Sequence, residues 1–81
     1  MAKFHAIKLS YIVHAVKFTR LIPDDLFSDF VKTRMKDNHY SEYDAIIYVI
    51  FKLVHIFSNG EYERIECEYE DEYGFKVKIE R

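Results

Sequence analysis

The chain has 81 residues, a formal net charge of −2 and a hydrophobic fraction of 49%. This length and composition exclude a disordered segment and predict one small domain spanning residues 1–81. The single cysteine excludes an internal disulfide framework, and the longest apolar run, residues 45–57, is too short to cross a bilayer, so we expect an intracellular, cytoplasmic protein outside the membrane.

The N-terminal part of the chain has the composition of a strand. Residues 4–20 contain no Gly, Pro, Asn or Asp and are rich in β-branched and aromatic residues. Apolar residues alternate from Ile7 to Val13, but from Val16 onward they fall on the opposite parity. We therefore predict a strand that bends or bulges near His14–Ala15. A helix over residues 10–21 is the alternative.

Two helices are predicted in the middle of the chain. The first begins at Pro23, since proline and the following aspartates suit a first turn, and it carries an apolar stripe. The second begins at Ser41 with a pattern typical of a capping box and runs through residues 45–57 to a left-handed residue at Asn59 or Gly60. Because residues 45–57 are rich in Ile and Val, a strand is the alternative there.

The C-terminal part predicts a β-hairpin. With a three-residue loop at Asp71-Glu72-Tyr73, each apolar residue faces an apolar residue and each charged residue faces an opposite charge. The predicted apolar pairs are Tyr69 with Phe75, Cys67 with Val77, and Ile65 with Ile79. The predicted ionic pairs are Glu68 with Lys76, Glu66 with Lys78, and Arg64 with Glu80.

Together these elements predict the α+β class. We expect the order β-α-α-β-β and an antiparallel sheet whose C-terminal hairpin packs on two helices. If residues 45–57 form a strand, the order becomes β-α-β-β-β.

Catalytic and metal-binding patterns are weak in this sequence. No pair among His5, His14, His39, His55 and Cys67 has the spacing of metal ligands. His55 and Cys67 fall in apolar contexts and are predicted to be core residues, and the glycines stand alone rather than in a phosphate-binding loop. We therefore expect no enzyme activity, no metal and no cofactor.

Charge is distributed unevenly along the chain. The first 22 residues carry four basic and no acidic residues, whereas residues 61–81 carry eight acidic and four basic residues. Since the hairpin ladder neutralises its middle glutamates, free acid is expected at the hairpin tip and base. The predicted partner-binding residues are Glu61, Tyr62, Glu63, Glu70, Asp71, Glu72 and Tyr73.

These observations favour a non-catalytic protein-binding domain that forms a homodimer. By analogy of type with small virus-encoded proteins, we expect an inhibitor whose acidic tip occludes a basic, nucleic-acid-binding site on a host protein. The alternative is a small nucleic-acid-binding or regulatory protein that uses the basic N-terminal residues Lys3, Lys8 and Lys17. Its weakness is the isoelectric point of about 6.0, which is low for such a protein.

Overall fold

The computed structural model describes residues 4–81. Its elements are β1 (His5–Val13), β2 (Val16–Ile22), α1 (Asp24–Asn38), α2 (Glu42–Ser58), β3 (Arg64–Glu70) and β4 (Lys76–Glu80). The strands form one antiparallel sheet in the order β2-β1-β3-β4, and both helices pack on one face of it. The predicted α+β class, with a C-terminal hairpin and two helices between the N-terminal and C-terminal strands, is confirmed.

The N-terminal segment folds as a hairpin of two strands. Val13 pairs directly with Val16, so His14 and Ala15 form a two-residue turn, and their φ angles are 49° and 65°. Directly paired residues point to the same face of a sheet. Because Val13 pairs with Val16, the apolar residues fall at odd positions in β1 and at even positions in β2. The predicted single bent strand is therefore two strands, and the alternative helix over residues 10–21 is wrong.

A bulge near the start of β1 turns Phe4 into the core. The register between β1 and β3 shifts between His5 and Lys8, and Ala6 has a φ of 52°. Phe4 is only 2% exposed, and its ring meets Phe27 and Tyr69 edge-on at centroid distances of 5.3 and 5.2 Å. Such aromatic pairs add to the stabilisation from apolar burial. The bulge thus recruits a large side chain that simple alternation would place on the opposite face.

The second helix begins and ends with the predicted chemistry, and α1 begins after Pro23 with two aspartates in its first turn. The Ser41 side chain accepts a hydrogen bond from the Asp44 backbone N–H at 3.2 Å, and Asn59, with a φ of 59°, caps the end of α2. These caps satisfy backbone groups that a helix end leaves unpaired. The strand alternative for residues 45–57 is therefore wrong. The buried part of the apolar stripe on α1 is narrower than predicted, since Phe27 and Val31 are buried whereas Phe30 is exposed.

The core lies between the helices and the inner face of the sheet. Its buried apolar side chains are Phe4, Ile7, Leu9, Tyr11, Ile22, Phe27, Val31, Ala45, Ile46, Val49, Ile50, Val54, Ile65, Cys67, Tyr69 and Ile79. Cys67 is completely buried among them, as predicted, but His55 is exposed and its predicted burial is wrong.

The C-terminal hairpin has the predicted inner face but a different register. Cys67 pairs with Ile79 instead of Val77, and Glu68 pairs with Lys78 instead of Lys76, so β4 is displaced by two residues. The predicted register and the three-residue loop are wrong because the turn is longer: the Asp71 backbone N–H donates to the Phe75 carbonyl at 2.9 Å. The side chains of Arg64 and Glu80 nevertheless form the predicted ion pair, at 3.3 Å. A displacement of two residues keeps every side chain on its face.

Candidate interaction surfaces

Residues 70–75, which we call the tip, form a hydrogen-bonded loop at one end of β3 and β4. The Asp71 carboxylate accepts hydrogen bonds from the backbone N–H groups of Tyr73 and Phe75, each at 2.9 Å. The Asp71 carbonyl accepts a third from Gly74 at 3.0 Å. Gly74 has a φ of 83°, which glycine adopts without steric cost. The tip is therefore a preorganised loop fixed from within by one side chain.

The tip presents two aromatic rings to solvent. The exposed fraction is 77% for Tyr73 and 67% for Phe75, so neither ring is used by the core. The charge of Glu72, and a hydrogen bond to its carboxylate, raise the pKa of Tyr73 above its ordinary value. Rigid aromatic side chains that are free of intramolecular packing are typical anchors of protein–protein interfaces.

The acidic charge at the tip is smaller than the sequence suggests. In the observed register Lys76 lies opposite Glu70, whereas the predicted register placed Lys76 opposite Glu68. The Asp71 carboxylate already accepts two backbone hydrogen bonds, so the exposed Glu72 and the half-buried Glu70 carry the remaining acidic charge of the tip. The tip is thus an aromatic surface with acidic character.

The remaining predicted binding residues lie at the opposite end of β3. The Glu63 carboxylate accepts a hydrogen bond from the His14 backbone N–H at 3.1 Å, and the half-buried Tyr62 ring packs near the Phe51 ring. Glu61 is exposed beside them. Since a strand rises about 3.3 Å per residue, the length of β3 separates this group from the tip by roughly 23 Å. The structure therefore does not join the predicted residues into one surface.

The outer face of the sheet carries a network of ion pairs. Glu66 pairs with Lys17 at 3.3 Å and lies 4.0 Å from Arg64, and Glu80 pairs with Arg64 at 3.3 Å and with Lys78 at 3.0 Å. Glu66 is thus neutralised by partners other than the predicted Lys78, whereas Arg64 and Glu80 form the ion pair that the sequence predicted.

This network also bears on the basic N-terminal residues. Lys17 is engaged with Glu66, Lys8 pairs in the ladder with Glu68, and Lys3 lies outside the described residues. The described lysines of this group therefore face carboxylates of their own chain.

A cleft between the helices is a second exposed apolar surface, and sequence reasoning did not locate it. This α1–α2 cleft has a volume of about 300 Å³. Its lining residues are Phe30, Thr33, Arg34, Asp37, Tyr48, Val49, Lys52, Leu53 and Ile56. Phe30 and Ile56 are 41% and 60% exposed, and the Arg34 guanidinium carbon lies 3.7 Å from the Tyr48 ring centroid. The sequence did contain one indication of it: residues 45–57 are apolar on almost every side of the helix, and the sheet and one other helix cannot cover all of these sides.

Two observations on the described residues concern the thiol of Cys67 and metal binding. Burial, followed by the charge of Glu68, raises the pKa of Cys67 to about 12, so its thiol does not form a nucleophilic thiolate near neutral pH. Within residues 4–81, no group of three or more His, Cys, Asp or Glu side chains is placed to hold a metal ion.

Comparisons with known proteins leave the function open. No family model, no curated protein and no solved structure matches the chain. None of the helices in the described part of the chain combines the length and apolar character needed to span a bilayer. The geometry of the tip and the α1–α2 cleft is therefore the basis for assigning a function.

Proposed function

We propose that this domain is a non-catalytic protein-binding module that contacts its target through the tip. The observation that carries the proposal is the exposure of Tyr73 and Phe75 on a loop fixed by the Asp71 carboxylate. Exposed aromatic rings lose little conformational entropy on binding, and a preorganised loop lowers the ordering cost of association. The homodimer expected from the exposed apolar part of α2 belongs to the same proposal.

The chemistry of the tip defines the target surface. An apolar pocket would receive the rings of Tyr73 and Phe75, and basic side chains at its rim would pair with Glu70 and Glu72. Complementary charge accelerates encounter and suppresses wrong partners, whereas the buried rings supply most of the affinity. A nucleic-acid-binding site with exposed aromatic or aliphatic residues has this character, so the domain would act as an inhibitor that occludes it. A virus-encoded inhibitor of a host protein would have this role.

The test compares the native domain with a tip variant and a matched control. The tip variant carries Glu72→Lys, Tyr73→Ala and Phe75→Ala, all at exposed positions outside the core. The control carries Glu61→Lys, a similar charge reversal at the other end of β3. Each protein is immobilised, exposed to a cell lysate treated with nuclease, and eluted with a short DNA duplex.

The proposal predicts that the native domain and the control capture proteins from the lysate and that the DNA duplex releases these proteins. The tip variant should fail to retain them. Identical binding by the native domain and the tip variant would contradict it. Direct binding of the domain itself to the duplex, with a steep loss as salt rises, would instead support the nucleic-acid-binding alternative. Circular dichroism of each variant confirms that the fold is unchanged.

A further inference from the structure

The chain carries two exposed surfaces whose chemistry is complementary. The tip presents two free rings with Glu70 and Glu72 beside them. The α1–α2 cleft presents an apolar floor with Arg34 and Lys52 in its lining. Within residues 4–81 the two surfaces are separate, since the cleft lining contains no residue of the tip. Each surface therefore lacks a partner within its own chain, and each has the chemistry that the other requires.

We propose that the tip of one copy seats in the α1–α2 cleft of a second copy, an inference that rests on the protein-binding role proposed for the tip. The second copy returns the contact, so that two tips fill two clefts around a two-fold axis. Reciprocal exchange of this kind closes the assembly as a dimer instead of an open chain.

Charge supports this pairing. Two cations, Arg34 and Lys52, line the cleft with one acid, Asp37, so the lining has a net positive charge. The guanidinium of Arg34 lies against the Tyr48 ring, which holds the cation at the cleft. The exposed carboxylate of Glu72 and the half-buried Glu70 flank the rings that would enter. Opposite charges around an apolar contact fix its orientation and disfavour wrong partners.

Size supports reciprocal exchange in particular. The cleft volume of about 300 Å³ is at the lower end of pockets that accept small organic groups, so one ring of the tip would enter it while the other packs on the exposed Phe30 and Ile56 of its lining. An aromatic residue buries about 150–250 Å², so the four rings of two tips would remove roughly 600–1,000 Å² from solvent. A stable interface needs about 1,200–2,000 Å² in total over both partners. Two tip–cleft contacts, with matching area on the cleft side, reach that range, whereas one contact does not.

The arrangement regulates the proposed activity. A tip that is seated in a second copy is unavailable to a target, so the dimer stores the domain in a masked form. A target with a stronger apolar and basic site releases the tip by competition, and the fraction available depends on protein concentration.

The experiment uses two variants that each remove one half of the contact. The tip half is removed by Tyr73→Ser with Phe75→Ser. The cleft half is removed by Lys52→Glu with Ile56→Asp, whose side chains are exposed. Molar mass is measured by light scattering and sedimentation over a range of concentrations, with circular dichroism as the check on folding. The control is Leu21→Ser, which removes a 78% exposed apolar side chain on the edge strand β2.

The native chain and the Leu21→Ser control are expected to be dimers. Each of the two variants alone should raise the dimer dissociation constant at least about tenfold. An equimolar mixture of the two should form a 1:1 dimer that is tighter than either variant homodimer but weaker than the native dimer, because it keeps one intact tip–cleft contact and the homodimers keep none. Charge exchange gives a second readout: Lys52→Glu and Glu72→Lys should each weaken the dimer, and the chain that carries both should recover much of its affinity.

Three results would overturn the inference. They are a native chain that stays monomeric at high concentration, a dimer that neither variant weakens, and a dimer that only Leu21→Ser disrupts, which would place the interface at the β2 edge. None of these removes the proposed capture of a target through the tip, although a monomeric chain would remove the homodimer from that proposal. If self-docking is right, the cleft variant should capture more target than the native chain, whereas the tip variant should lose both dimer and target.

Discussion

The turn between β1 and β2 is held in a conformation that its residues disfavour, and replacing one of them should stabilise the fold. His14 and Ala15 both have positive φ, as a two-residue hairpin turn requires, yet neither is the glycine or asparagine that normally occupies such positions. An L-residue in the left-handed region costs about 1–2 kcal/mol. Ala15→Gly removes that cost but makes the unfolded chain more flexible, which returns about 0.4–1 kcal/mol.

The expected net gain from Ala15→Gly is about 0.5–1 kcal/mol. For a domain of this size, 1 kcal/mol moves the midpoint of thermal unfolding by about 4–8 °C, so Tm should rise by roughly 2–8 °C. Thermal and urea unfolding, both followed by far-UV circular dichroism, measure the change. The matched control is Ala45→Gly, because Ala45 is buried within α2 and glycine there should lower stability by about 1 kcal/mol or more. A Tm for Ala15→Gly equal to or below that of the native chain, with Ala45→Gly destabilised as expected, would refute a left-handed turn at this position.

Two further predictions concern Gly60 and Cys67. Gly60→Ala should destabilise the domain by about 1–2 kcal/mol in urea unfolding, because Gly60 has a φ of 80° and an added Cβ would lie 3.0 Å from the His55 ring; an unchanged midpoint would contradict this. Burial raises the pKa of Cys67 from 9.0 to about 12. The buried, protonated thiol therefore contributes fully to the free energy of unfolding below pH 9, and this contribution is lost as the pH rises from 9 to about 12. The free energy of unfolding should therefore fall with alkaline pH less steeply in Cys67→Val than in the native chain. Equal slopes would count against this assignment, as would rapid labelling of the native thiol by iodoacetamide at pH 8.

Both helices were predictable because their signals are local. Pro23 with the following aspartates marks the start of α1, and Ser41 marks the start of α2 with a hydrogen bond that the structure shows directly. The buried face of the C-terminal hairpin was also predictable, since alternation alone places Cys67 and Ile79 on one side. These elements are specified by short stretches of the chain.

The turns were not predictable from residue type. His14–Ala15 carries no turn signal, so the change of apolar parity indicated a bend when the cause was a complete reversal of the chain. At the other hairpin, pairing rules favoured a short loop, but the Asp71 carboxylate organises a longer one. The length of such a loop depends on side-chain hydrogen bonds to the backbone, which pairing rules do not include.

The candidate site was predicted in part. Glu70, Asp71, Glu72 and Tyr73 do lie together at the tip, whereas Glu61 to Glu63 lie at the far end of β3. Phe75 was assigned to the core face as part of the last strand, but it lies in the longer turn before β4 and is one of the two exposed rings. The α1–α2 cleft depends on how two helices pack against each other, and this arrangement is not encoded in any single stretch of sequence.

The charge ladder of the C-terminal hairpin has a consequence for the folding pathway. The observed register sets Glu66 opposite Glu80, two like charges, whereas a register displaced by two residues would set Arg64 there. Charge pairing alone therefore favours the displaced alignment, which competes with the native one during folding. The Asp71 carboxylate supports the native alignment, because the loop that it closes with the backbone of Tyr73 and Phe75 belongs to that register. We therefore expect removal of this carboxylate to slow folding, although Asp71 lies outside the core.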